Sequence, residues 1–149
     1  MDILKLQRMG GADYFQQKLT HEIGPRMLQQ LIDSQEEVQL VDVRQPEDFA
    51  CAHIGKAVNL PFAGAEPNAY IYHLSKHIPV VVYSYDEDCT LALEAAYLLA
   101  RNGYPVRLLM GGFAAWRHYG LPIAASVSEF DTDLRPYQAV DNFIPPETR

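Results

Sequence analysis

The chain has 149 residues, of which 48% are hydrophobic and 21% charged, an ordinary balance for one globular domain with a real core. Its formal net charge of −7 argues against a nucleic-acid backbone or an anionic membrane as partner, and no apolar run approaches the roughly 20 residues of a membrane span. Met1-Asp2-Ile3-Leu4-Lys5 lacks a basic stretch followed by an apolar one, and two cysteines, Cys51 and Cys89, make no disulfide framework, so a cytoplasmic, reduced protein is expected.

Along the first 24 residues, apolar and charged side chains alternate irregularly, and Gly10-Gly11 interrupts any single long helix. A short helix from about Ala12 to Leu19, packed on the outside of the domain, and a short edge strand over Thr20–Ile23 are predicted. Gly24-Pro25 turns the chain into a helix with Met27, Leu28, Leu31 and Ile32 on its apolar stripe. Val38–Val43 reads as a buried strand. It leads through Arg44 and Pro46 into a short helix, then through His53–Pro61 as a turn and brief strand that proline stops. A loop over residues 62–68 and a helix over Tyr70–His77 follow.

Val80-Val81-Val82-Tyr83 has no polar alternation, as a central strand covered on both faces requires. Ser84 to Thr90 forms a tight loop, and Leu91, Ala95, Leu98 and Leu99 recur at helical spacing up to Arg101, before a left-handed cap at Asn102-Gly103. Val106–Met110 is the next strand, and Gly111-Gly112 turns into a helix carrying Phe113, Trp116 and Tyr119. Residues 124–149 read as a poorly packed tail. Strands alternating with helices imply right-handed crossovers and a mainly parallel sheet, an α/β fold with helices on both faces. Ligands of such sheets sit beyond the carboxyl ends of the strands, where Ser84 lies.

Three segments together resemble the rhodanese-like family. Leu40-Val41-Asp42-Val43-Arg44 with Pro46-Glu47-Asp48-Phe49 and His53-Ile54-Gly55-Lys56-Ala57-Val58-Asn59-Leu60-Pro61 looks like its first signature. Val80 to Ser84 corresponds to its active-site strand, and Gly103-Tyr104-Pro105-Val106, Gly111 to Trp116 and Gly120-Leu121-Pro122 look like its closing signature. The resemblance implies a rhodanese-like domain over residues 25–123, built on a five-stranded, mainly parallel sheet. Residues 1–24 form a helical extension packed on it. Active members of the family carry a cysteine directly after the central strand, which holds sulfur as a persulfide. Carried onto this chain, that position is Ser84.

A serine hydroxyl forms no persulfide and ionises far less readily than a thiol, whose reference pKa is about 8.5. No Gly-x-Ser-x-Gly elbow surrounds Ser84, and no histidine is placed by sequence to serve it. Asp86, Glu87 and Asp88 stand in the loop, between Tyr85 and Thr90, where the family usually shows glycine and often a basic residue; three carboxylates oppose an anion and raise a neighbouring thiol's pKa. Related phosphatases place an arginine six residues after their cysteine, where this chain has Thr90. Cys89, five residues beyond Ser84, matches a second cysteine of some rhodanese-like sequences. It is the candidate for a displaced nucleophile or redox sensor, while Cys51 reads as a packing residue.

Asp42, Arg44 and Glu47 are expected to support the site architecturally, with Arg44 paired to an acid such as Glu47. His73 and His77, four apart, lack a third ligand, so neither a metal nor a cofactor is predicted. The expected function is a binding or regulatory module without ordinary thiosulfate sulfurtransferase activity, with a protein or small-molecule ligand of basic character at the loop and no nucleic-acid or membrane partner. The competing expectation is a sulfurtransferase or thiol-redox enzyme using Cys89.

Overall fold

Gln39–Asp42 (β2) and Val80–Tyr83 (β5) lie side by side in one parallel sheet, in register from Gln39 opposite Val80 to Asp42 opposite Tyr83. The computed structural model describes residues 2–62 and 74–125. Glu22–Ile23 (β1), Val58–Asn59 (β4) and Val106–Leu109 (β6) complete a five-stranded sheet in the order β1-β6-β5-β2-β4, with every neighbouring pair parallel. His53–Ile54 (β3) and Ile123–Ala124 (β7) form a separate antiparallel pair.

Strand β5 is apolar throughout, and β2 is apolar at Leu40 and Val41, because both faces of these strands are buried. Leu40, Val81 and Tyr83 enter one core with Leu28, Phe113 and Trp116, whereas Val41, Val80 and Val82 enter the other with Ala92, Ala95 and Leu99. Pro25–Asp33 (α3) and Gly112–His118 (α6) cover the first face, and Leu91–Arg101 (α5) covers the second. Pro46–Cys51 (α4) leaves β2, with proline in its first turn.

Several elements differ from expectation. The segment 53–61 divides into two strands serving two sheets, since Ile54 pairs with Ile123 while Val58 pairs with Val41. Ala124, expected in the tail, is therefore in a strand; the rest of the predicted tail from residue 126 lies outside the described residues. The expected loop over 62–68 lies outside them except for Phe62, and so does the first half, residues 70–73, of the helix expected over Tyr70–His77, with His73 in it. Residues 74–77 form turns rather than helix: the Gln39 amide side chain accepts from the backbone N–H of Ser75 and donates to the carbonyls of Ser75 and Ile78, ahead of Pro79.

The amino-terminal region forms two helices, Ile3–Arg8 (α1) and Gly11–His21 (α2), which break at Gly10 where φ is +70°. Helix α2 continues through His21, with the Thr20 hydroxyl donating to the Gln16 carbonyl, so the edge strand holds only Glu22 and Ile23. Neither helix buries a residue. The extension expected to pack on the domain joins the sheet through β1, where Ile23 enters the core, and leaves the side chains of its two helices unburied. Among the described residues, no helix is long and apolar enough to cross a membrane.

Candidate functional site

At the carboxyl end of β5 the chain leaves the core at Ser84, which is itself buried with 1% exposure. The Ser84 backbone carbonyl accepts from the Phe113 N–H at 2.9 Å, and the next carbonyl, of Tyr85, accepts from the Ala114 N–H at 2.8 Å. These bonds seat the loop on the first turn of α6. They need Gly112 between them: its φ is +60°, and a Cβ there would stand 2.7 Å from the Ser84 carbonyl oxygen.

The loop then closes on itself. One carboxylate oxygen of Asp86 accepts from the backbone N–H of Asp88 at 3.0 Å and of Cys89 at 3.1 Å. Four amides around the end of β5, those of Asp88, Cys89, Phe113 and Ala114, are thus satisfied by the loop's own oxygens. The fold-back carries the Cys89 sulfur to 3.1 Å from the Ser84 hydroxyl oxygen. Asp86, Glu87, Asp88 and Thr90 are exposed, and the Thr90 hydroxyl donates to Glu94 in the first turn of α5. A cleft of about 320 Å³ opens beside the loop, with Ser84, Asp86, Cys89, Met110, Lys18 and Glu22 on its walls. Lys18 pairs with Glu22 at 2.8 Å, so the cation on the cleft wall already has its carboxylate.

Beside it, at the end of β2, Asp42 and Arg44 are both fully buried and form a bidentate pair. The Arg44 guanidinium donates to Asp42 at 2.8 and 3.1 Å, and to the Ala52 carbonyl at 2.6 Å, and lies 4.1 Å from the Phe113 ring centroid. Burial alone would lower the Arg44 pKa, but the Asp42 carboxylate outweighs it and the guanidinium is held above its ordinary value. The acid that Arg44 takes is therefore Asp42, and Glu47 is exposed on α4. The reason is local: the Arg44 backbone N–H also donates to Asp42 at 2.9 Å, which turns the chain back on its own strand end. Asn59, across on β4, ties this turn down by donating to the carbonyls of Asp42 and Arg44 at 3.0 Å each.

Tyr85 links the two strand ends. Its hydroxyl donates to Asp48 on α4 and accepts from the Gln45 N–H at 3.3 Å; burial first, and then the Asp48 bond, pushes its pKa up to about 12. Cys51 is a free, half-buried thiol raised by burial and by the charge of Asp48. Of the residues singled out from the sequence, Ser84, Asp86, Glu87, Cys89 and Thr90 share the cleft, and Asp42 with Arg44 braces the neighbouring strand end. Asp88 lies outside the cleft lining, exposed on the rim of the loop. Asp48, Asn59 and Lys18 were not singled out. Asn59 could have been found as the polar residue of an otherwise apolar strand, but nothing in the sequence signals that Lys18 reaches this cleft.

Comparisons with known proteins agree with this fold. A family model described as "Rhodanese-like domain" matches residues 25–119. A protein named "Sulfurtransferase" from Allochromatium vinosum is 32% identical over 108 residues, covering 72% of this chain and 97% of its own. The "HTH-type transcriptional regulator Rv0324" of Mycobacterium tuberculosis is 34% identical over 87 residues, and the aligned segment spans 58% of this chain but only 38% of the regulator. Among solved structures, the BH2092 protein of Bacillus halodurans superposes with a TM-score of 0.70 at 26% identity, covering 78% of this chain and 85% of that one.

Proposed function

This chain belongs to the rhodanese-like domain family, and we propose that within it the chain is a binding or regulatory module that does not carry out ordinary sulfur transfer from thiosulfate. The observation that carries the reading is the Asp86 carboxylate, which accepts from the amides of Asp88 and Cys89 where an anionic substrate would otherwise be met. Ser84, at the nucleophile position, has a hydroxyl that holds no persulfide. Exposed Glu87 and Asp88 beside Asp86 leave the rim of the loop negative, which suits a basic protein or a cationic small molecule. Its setting in this reading is the reducing cytoplasm, where free Cys51 and Cys89 persist as thiols.

Transfer of sulfur from thiosulfate to cyanide tests it, on the unmodified chain, on Ser84→Cys and on Ser84→Cys/Asp86→Ala. The unmodified chain is expected to be silent. The single variant should remain weak, and the double variant should gain activity, because it restores the thiol and frees two amides. Turnover by the unmodified chain would overturn the reading.

A second reading has its own support in the 3.1 Å contact between the Cys89 sulfur and Ser84. In it, the Cys89 thiolate attacks the outer sulfur of thiosulfate and releases sulfite. The Cys89 persulfide then yields that sulfur to an acceptor thiol or to cyanide, regenerating the thiolate. Mass spectrometry after exposure to thiosulfate decides it: one added sulfur on Cys89, together with activity lost in Cys89→Ala, supports this reading over the first.

A further inference from the structure

Helices α1 and α2 are short, at 6 and 11 residues, and bury nothing. Helices below about 12–15 residues are marginal in water without packing. This arm nevertheless exposes large apolar side chains: Ile3 is 68% exposed, Leu4 61%, Met9 67%, Tyr14 57%, Phe15 63% and Leu19 81%. Phe15 and Leu19 are four apart on α2 and form one stripe. Taken together over both helices, the six residues expose on the order of 800 Å², an upper limit on what one contact could cover and comparable with the share each partner contributes to a standard-size interface. Isolated exposed apolar residues are unremarkable, but on α2 the Tyr14 and Phe15 rings are in contact and Leu19 lies one turn on, a clustering of the kind an interaction surface shows.

Charge selects the partner. Residues 2–21 carry Lys5, Arg8 and Lys18 against Asp2 and Asp13, a net of +1, so the rest of the chain carries −8 of the total −7. Two copies of this chain therefore repel over most of their surface, and the arm is where they can approach without that penalty. An apolar face that is nearly neutral is also complementary to itself, as a two-fold interface requires.

We propose that residues 2–21 form a homodimerisation surface on which a second copy of this chain seats its own arm, apolar face against apolar face, across a two-fold axis. Sedimentation equilibrium on the full chain, from micromolar to submillimolar concentration, should give a mass rising from 16.8 kDa toward twice that value. In Phe15→Glu/Leu19→Glu the dimer midpoint should move at least about tenfold upward in concentration, with thermal unfolding of the monomer unchanged because neither residue is buried. Hydrogen exchange on the unmodified chain gives a readout that needs no variant: the amides of α2 should gain protection as concentration rises. A monomer at every concentration would overturn the proposal, and arm amides protected in that monomer would identify another part of the chain as the cover. A dimer equally strong in the variant would overturn it too.

Discussion

Strands β2 and β5 are hydrogen-bonded neighbours that end together, yet their carboxyl ends treat charge in opposite ways. At the end of β2, the ions Asp42 and Arg44 are fully buried, paired bidentately, and capped by the Ala52 carbonyl and the Phe113 ring. At the end of β5, the carboxylate of Asp86 turns inward only as far as its own loop's amides, and Glu87 and Asp88 face solvent. The first arrangement cannot exchange partners without exposing a buried ion to an apolar core. The second can, because water competes for every charge in it. A strand's carboxyl end in a parallel sheet is thus only a place where a site can be built. Here one end braces the fold, and the other keeps its charges open to solvent.

The largest effect expected from this contrast is on stability. Asp42→Ala leaves the Arg44 guanidinium buried without its carboxylate and should cost about 3–5 kcal/mol, whereas Asp86→Ala, at an exposed carboxylate, should cost no more than about 1 kcal/mol. Urea unfolding of the two variants measures the ratio; equal losses would erase the distinction between the two strand ends. Next in size is Gly112→Ala. Its Cβ would press on the Ser84 carbonyl at 2.7 Å from a backbone with φ of +60°, so the β5 loop and α6 must part. A loss on the order of 1–3 kcal/mol is expected, with faster hydrogen exchange at Phe113 and Ala114, whose amides bind the loop.

The two strand ends were also unequally legible in the sequence. Val80–Tyr83 and Val38–Val43 announced themselves because a strand buried on both faces has no polar alternation, and the structure divides those same residues between two cores. Strand order carried no such signal, since a crossover of a given length reaches either side of a strand. The split of 53–61 depended on Ile123, distant in sequence. At the site, the spacing of Ser84 and Cys89 put both in one loop, but their contact arises from the fold-back made by Asp86 and has no sequence signature. Arg44 was assigned an acid within reach along the following helix, Glu47. The true partner, Asp42, lies two residues back, at a distance that only a turn at the strand end makes productive. Tyr85 and Asp48 meet from segments with no shared motif.

That last contact yields the smallest effect and the most direct test of whether the two ends are coupled. Tyr85 is the bond between them, through Asp48 and Gln45 on the β2 side. Tyr85→Phe should cost about 1 kcal/mol at neutral pH. An unfolded tyrosine ionises near pH 10, while the folded Tyr85 keeps its proton up to about 12 because burial and the Asp48 carboxylate disfavour the phenolate. Between these values the native state binds more protons than the unfolded one, so the stabilisation is complete below about pH 10 and is lost as pH rises through the folded value. Tyr83, raised in the same direction by its own burial, titrates in both proteins, so the comparison subtracts it. The gap in urea midpoint between the unmodified chain and Tyr85→Phe should therefore be constant below about pH 10 and close above it. A gap that persists unchanged at high pH would mean that the phenol's proton does not hold the β5 loop to α4, and that the two strand ends are independent.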